Sequence, residues 1–414
     1  MKGKKVPAAA SRGRLAWTSI LLVSWLVGTA LTFGATQATA AEVVFAEKAD
    51  ISTAADGAFS VYAADVDSDG DLDALSASFS DDKIAWYENT AGDGSAWRPR
   101  TISKAAGFAQ SVFAADVDGD GHIDVLSASE RGDRITWYEN AAGDGSAWPS
   151  HDITASAKGA RCVFAADMDG DGDIDALSAS RDDDKIAWYE NTQGNGSVWK
   201  EHVISTKADG AHAVFAADID GDGDIDAVSA SENDDKVAWY ENRTGDGTTW
   251  KEWIITEKAD SAHSVYAADI DGDGDLDVLS ASYLDDTVAW HENLDGKGTT
   301  WKAHPISTSA DAAMSVVAAD IDGDGDLDVL SASANDDTVA WHENTAGNGS
   351  AWISRTISKA VDAPFSVYAA DLDGDGDVDA LSASFFDDTI AWYRNESRKA
   401  STASAPAETK SASP

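Results

Sequence analysis

The sequence predicts an all-β protein: a seven-bladed β-propeller of four-stranded blades, with the last blade closed by the N-terminal strand. Three observations predict it. An acidic nine-residue loop, D-x-D-x-D-G-x-x-D, recurs seven times at a constant interval of 51 residues, beginning at Asp65, Asp116, Asp167, Asp218, Asp269, Asp320 and Asp371. Each interval holds short apolar runs between turn signals, and no segment shows a helical period. The array also ends one strand short at its C-terminal side and begins with a spare strand at its N-terminal side. Four short strands in a repeat of roughly 40–50 residues describe a propeller blade.

In the first copy strand A is expected over about 60–65, strand B over about 73–78, strand C over about 83–89 and strand D over about 97–103. The acidic loop joins A to B, Ser80-Asp81-Asp82 joins B to C, and Ala91-Gly92-Asp93-Gly94 joins C to D. Ala63, Ala64, Ala74 and Ala77 suit crowded strands near the axis, whereas Trp86 and Trp97 suit the wider space between sheets. The seventh copy stops after Trp392-Tyr393-Arg394-Asn395, and Ile51-Ser52 aligns with Ile102-Ser103, with Phe45 near the column of Trp97. The N-terminal strand is therefore expected to complete the last blade, which removes the open edges of an unclosed array.

Residues 41–397 form the propeller in this reading, 1–40 a signal peptide and 398–414 a disordered tail. The leader carries Lys2, Lys4, Lys5, Arg12 and Arg14, then an apolar run from Leu15 to Phe33, then Ala38-Thr39-Ala40 as a cleavage site. Secretion follows, with membrane anchoring by an uncleaved segment as the alternative. Removing those five basic residues takes the formal charge from −44 to −49. A body so acidic excludes nucleic acid and anionic membrane surfaces as partners. Trp, Val, Ile and Leu recurring in register argue for a packed core rather than acidic disorder. The single cysteine, Cys162, falls in the column of Ser60, Ser111, Ala213, Ser264, Ser315 and Ser366 and reads as a small buried residue.

The excess of carboxylates asks for a metal. A hard divalent cation takes six to eight oxygens, which a short loop offers from alternate positions. Positions 1, 3, 5, 7 and 9 are Asp65, Asp67, Asp69, Asp71 and Asp73 in the first loop, and Asp116, Asp118, Asp120, His122 and Asp124 in the second. They are Asp167, Asp169, Asp171, Asp173 and Asp175 in the third, and Asp218, Asp220, Asp222, Asp224 and Asp226 in the fourth. The fifth has Asp269, Asp271, Asp273, Asp275 and Asp277, the sixth Asp320, Asp322, Asp324, Asp326 and Asp328, and the seventh Asp371, Asp373, Asp375, Asp377 and Asp379. Position 7 is expected to contribute its backbone carbonyl, so His122 is tolerated there. Position 12, which would be the bidentate Glu of an EF-hand, is Ser76 inside a strand. Calcium, up to seven ions, is the expected cofactor, in a structural role.

The repeated loop in its blade context resembles the FG-GAP/VCBS family of extracellular repeats, also found in the head of integrin alpha subunits and in some fungal lectins. The resemblance covers residues 41–397 and implies a seven-bladed propeller with calcium in the A–B loops. The copies lack a Phe-Gly…Gly-Ala-Pro signature, which places them nearer the VCBS-like branch. The family spans adhesion, sugar binding and accessory roles, so it does not choose a ligand.

A meander puts the A–B and C–D loops at one end of each blade and the B–C and D–A connections at the other. The copies scarcely differ at the first end. At the second, the column entering strand A reads Phe59, Gln110, Arg161, His212, His263, Met314, Phe365. The column leaving strand B reads Phe79, Glu130, Arg181, Glu232, Tyr283, Ala334, Phe385, and the next reads Ser80, Arg131, Asp182, Asn233, Leu284, Asn335, Phe386. Phe59, Tyr283, Phe365, Phe385 and Phe386 are expected to be exposed there, and with Arg161, Arg181, His212 and His263 they form the candidate ligand surface. Extracellular carbohydrate is the leading partner and a cell-surface protein the alternative, with the propeller monomeric. A polysaccharide lyase or hydrolase acting on this face is a third reading. No histidine has a dedicated nucleophile or acid partner in the sequence, so no catalytic residue is assigned. Arg131-Gly132-Asp133 aligns with an ordinary B–C turn, and Asn195, Asn242, Asn348 and Asn395 are glycosylation acceptors in a eukaryotic host alone.

Overall fold

The computed structural model describes residues 43–397, so the leader and tail expected at 1–40 and 398–414 lie outside the described residues. The first blade is β2 (Ala58–Ala64), β3 (Asp73–Ser78), β4 (Lys83–Asn89) and β5 (Trp97–Ser103), paired in that order. Every pairing is antiparallel, with Leu75 opposite Trp86 and Trp86 opposite Arg100. Seven such four-stranded sheets are present among the described residues. The inner strands of the other blades are β6 (Ala109–Ala115), β10 (Ala160–Ala166), β14 (Ala211–Ala217), β18 (Ala262–Ala268), β22 (Ala313–Ala319) and β26 (Pro364–Ala370).

Strands B, C and D lie where the alternation put them. Strand A begins two residues earlier than expected, at Ala58 rather than Ser60, and ends at Ala64. The cause is a bulge: Ala58 pairs with Ser78 and Ser60 with Ala77, so one extra residue interrupts the alternation at the strand's entry. The ring closes as expected. The last blade is β26, β27 (Asp379–Ser384) and β28 (Thr389–Tyr393), and β1 (Ala49–Ser52) adds to its outer edge, with Ala49 opposite Trp392. A bridge between Phe45 and Asn395, with the Ala46 amide donating to the Arg394 carbonyl at 2.8 Å, extends the seam.

Apolar residues pack between neighbouring sheets rather than in one centre. Leu75, Ile84 and Trp86 of the first blade meet Ala109, Val112 and Tyr138 of the second, and Trp86 is fully buried. The seam has the same composition, with Ala58, Val61 and Tyr87 against Leu381, Ile390 and Trp392. Burying an indole accounts for a few kcal/mol per blade junction. At the axis, Tyr62, Phe113, Phe164, Phe215 and Tyr266 touch in succession, and Tyr62 also meets Tyr368, at centroid distances of 4.5–4.8 Å. Small alanines flank this aromatic ring instead of lining the axis alone.

Two polar columns fasten each blade to the next. The Asn140 side-chain amide donates to the Val66 carbonyl in the preceding blade's acidic loop at 2.8 Å, and the Gly145 amide donates to its Oδ1 at 3.0 Å. Asn89 makes the same bond across the seam to the Leu372 carbonyl at 2.9 Å. At the opposite end Asp82, held at φ 55°, accepts from the Phe108 amide at 2.9 Å, and Asp388 accepts from the Gly57 amide across the seam at 3.0 Å.

Candidate functional site

Each acidic loop is a tight turn folded around its own carboxylates. In the third, Asp167 accepts from the amides of Gly170, Asp171 and Gly172 at 2.8–3.1 Å, and Asp171 accepts from Asp173 at 2.9 Å. Position 6 requires glycine, because Gly172 stands at φ 97°. Position 4 is also left-handed and is glycine in six copies, while the first copy places Ser68 there at φ 62°. The position-7 side chains, Asp71 and His122, lie over Gly92 and Gly143 of the adjoining C–D turns, where any side chain would collide with them.

Position 9 is buried. Asp175 Oδ1 accepts from the Asn191 amide at 2.7 Å and Oδ2 from the Met168 amide at 3.0 Å, and burial pushes its pKa up to about 8. Asp73 is pushed to about 7 and Asp124 to about 6 by the same burial. Burial and the adjacent Asp171 also raise Asp169. Ligand oxygens of Asp167, Asp169 and Asp175 lie within 4.8 Å of one another, as do those of Asp116, Asp118 and Asp124. Asp67 Oδ1, Asp116 Oδ1, Asp320 Oδ1 and Asp371 Oδ1 are buried and accept no hydrogen bond. Converging, desolvated carboxylates with orphaned oxygens are a donor set for a hard divalent cation, and the residues present fit calcium.

The seventh loop differs. Six copies carry a glutamate beside the loop, at Glu88, Glu139, Glu190, Glu241, Glu292 and Glu343, whereas the seventh carries Arg394. Its guanidinium pairs with Asp373 at 2.9 Å and reaches Asp375 at 3.9 Å.

The opposite mouth divides into two arcs. Phe59, Phe79, Phe365 and Phe385 form one aromatic cluster, with Phe59 edge-on to Phe365 at 5.1 Å and Phe385 stacked on Phe365 at 4.9 Å. Phe108, missed in the sequence, stacks on Phe79 at 4.3 Å under the Arg131 guanidinium. Five aromatics were expected to stand exposed, but Phe59, Phe365 and Phe385 are half-buried by this mutual packing, and Tyr283 is half-buried against His263 and the Met314 cluster. Phe386 alone among them is exposed, at 69%, and Leu284 joins it at 64%. In the other arc Arg161 pairs with Glu130 at 3.4 Å and Arg181 with Glu232 at 3.1 Å. His212 and His263 stack at 4.2 Å, and Tyr283 stacks on His263 at 5.0 Å. Burial and the neighbouring guanidiniums lower the His263 pKa to about 4 and that of His212 well below the usual imidazole range, so both rings are neutral.

The remaining histidines have other roles. His202 stacks on Trp188 and pairs with Glu190 at 2.7 Å on an outer strand, and His151 and His304 repeat the arrangement. His291 and His342 are buried where five copies have tyrosine, and bond Ser280 and Ser331 as Tyr87 bonds Ser76. Cavities of about 150 and 160 Å³ open beside them, where Thr287 and Thr338 replace the lysine or arginine of the four earlier copies. Cys162 is half-buried against the next blade rather than fully buried as expected, and desolvation raises its thiol pKa, as befits an unreactive cysteine. Asp133 of the Arg-Gly-Asp tripeptide accepts from the Gly159 amide at 3.0 Å, so it is an ordinary turn residue. Asn242 and Asn395 are buried inter-blade fasteners, which removes them from the expected glycosylation acceptors, whereas Asn195 and Asn348 are exposed.

The FG-GAP-like repeat model matches residues 65–127, 116–178, 167–229, 218–280, 269–331 and 320–382. No curated protein matches the chain. Among solved structures, the crystal of BBS1N in complex with ARL6DN soaked with mercury is similar at TM-score 0.58 and 11% identity, over 86% of this chain and 98% of that one. The lead-soaked crystal of the same complex gives 0.57 and 11%, over 86% and 97%. Likeness at that identity speaks for the fold alone. With repeat matches overlapping from residue 65 to residue 382, the chain belongs to the FG-GAP-like repeat family.

Proposed function

We propose that this protein is a secreted, calcium-stabilised binding module whose mouth engages extracellular carbohydrate without chemical turnover. The division of the mouth carries the reading: an aromatic arc ending in exposed Phe386 faces a charged arc of Arg161, Arg181, Glu232, His212 and His263. Aromatic faces stack on the apolar faces of sugars, and fixed polar groups take their hydroxyls. The polar groups are paired with one another, with no nucleophile held against a base, which favours binding over catalysis. Calcium in the acidic loops is structural, because the same donor set recurs from blade to blade and each loop is bonded to its neighbour through the Asn89 column. Ring closure takes the N-terminal strand into the last blade and the outer edge strands are short, which supports a monomer.

A glycan array read in calcium and in chelator tests this. Signals in calcium that Phe386→Ala and Arg181→Ala abolish, without loss of the folded state, support it. A silent array together with Phe386-dependent capture of a cell-surface protein replaces carbohydrate by a protein partner. Release of soluble oligosaccharide from a polysaccharide contradicts the non-enzymatic reading.

A further inference from the structure

We infer that the mouth holds a second metal site, of a different class from the acidic loops: His212, Glu232 and His263 bind one borderline-soft divalent ion such as Zn²⁺. One potential ligand atom from each of the three lies within 4.8 Å of the others, and all three side chains are half-buried. The set is two nitrogens and one carboxylate, a combination that suits zinc, nickel or copper rather than calcium.

Three features of the cluster favour a metal over a plain ring stack. The first is the tautomer of His212. Its Nδ1 lies 2.8 Å from the His263 carbonyl, which can only accept, so Nδ1 carries the proton and Nε2 presents its lone pair. A ligating histidine is held in this way, with its other nitrogen donating to a backbone carbonyl. The second is the weakness of the partners around His263. Its Nδ1 is 3.3 Å from Met314 Sδ and its Nε2 is 3.4 Å from Ser261 Oγ, contacts that an ion readily replaces. The third is the pattern across the repeats. The two imidazoles occupy one column in consecutive blades, and the column beside it supplies Glu232 from the blade of His212. None of the other five copies has a histidine in that column, so the triad is an addition to the repeat and not part of it.

The rings are parallel to within 6° at 4.2 Å, so their edges run side by side and must tilt toward a shared ion. The broad χ2 well of histidine allows that tilt at small cost. Arg181 is the antagonist. It holds Glu232 at 3.1 Å and places a positive charge beside the site, so the ion competes with it for the carboxylate. Arg161, paired with Glu130 at 3.4 Å, stands in the same column one blade before His212 and adds a second positive charge that the ion must tolerate. Three protein ligands leave a fourth position for water or for a ligand group entering the mouth.

The test uses the untagged protein, stripped of metal and returned to millimolar calcium so that the acidic loops are occupied. Calorimetric titration with Zn²⁺ is expected to give one ion per chain, and Co²⁺ is expected to give visible bands of four-coordinate intensity. His212→Ala, His263→Ala and Glu232→Gln should each weaken binding by more than the roughly 10–100-fold typical of losing an outer-shell partner. Arg181→Met should tighten it by roughly tenfold, because a like charge leaves and Glu232 is freed. His151→Ala, on an outer strand, should change nothing. An unchanged calcium-dependent melting temperature confirms that the variants fold, and the Co²⁺ spectrum of the wild type needs no variant. Absence of one-to-one binding in calcium, or binding that survives all three ligand substitutions, overturns the site. Neither result depends on whether the mouth binds carbohydrate.

Discussion

The two ends of the ring are built by different rules. At the acidic end, the loop of each blade is tied to the next through Asn140 and its equivalents, so a change in one copy disturbs two blades. At the mouth, the Asp82 column is tied just as tightly, yet the residues leaving strand B beside it run from Phe79 through Arg181 to Ala334. Constancy therefore follows the side chains that hold the neighbouring backbone in every blade, and variety falls on columns whose cross-blade contacts, such as Arg181 with Glu232, differ from pair to pair. Scaffold and surface are separated column by column.

The largest expected effect that sharpens this contrast comes from the buried histidines. Burial lowers the pKa of His291 and of His342 from the ordinary 6.5 to about 4. A histidine whose folded pKa is depressed stays neutral in the fold while the unfolded chain takes up a proton. Its stabilising contribution is present above pH 6.5 and is lost as pH falls toward 4, by on the order of 2–3 kcal/mol each. His291→Tyr with His342→Tyr should remove this loss and fill the adjacent cavities, read as a smaller fall in melting temperature between pH 6.5 and pH 4. An identical fall in both proteins would show that these columns do not set the acid limit.

Next in size is the inter-blade fastener. Asn191→Ala leaves the Val117 carbonyl and the Gly196 amide without their partner and should cost about 1–3 kcal/mol in denaturant unfolding. Leu284→Ala at the mouth should stay within about 0.5 kcal/mol, as exposed substitutions do. Equal costs for the two would break the distinction between the ends.

Arg394 tests whether the seven loops are equivalent. Its guanidinium already occupies part of the seventh donor set, so calcium titration should show one site weaker than the rest. Arg394→Glu restores the residue of the other copies and should tighten that site by roughly tenfold or more. A single uniform class of sites in both proteins would refute the difference. A comparably modest effect is expected at Ser68, which is left-handed where the other copies have glycine. Ser68→Gly should stabilise by about 1 kcal/mol, seen as a raised denaturation midpoint.

Much of this was legible in the sequence because the repeat supplies its own alignment. Strands B, C and D and the seam between β1 and β28 follow from alternation and from the truncated seventh copy. The entry of strand A was not, since the bulge at Ala58–Ser60 breaks the period that marks a strand. The Asn89 and Asp82 columns were visible as constant letters, but their role depends on which carbonyl or amide of the next blade they reach. The mouth was legible as variety. That its phenylalanines shield one another, and that His212 stacks on His263, depends on how closely the blades converge at the axis.

Melting the protein in calcium and again in chelator tests the central claim, that the acidic loops are metal clips holding the ring. At a calcium concentration 100-fold above the dissociation constant, each occupied loop contributes about 2.7 kcal/mol. Several loops acting together should therefore lower the melting temperature by on the order of 20 °C when calcium is removed. An unchanged melting temperature in chelator would contradict the claim.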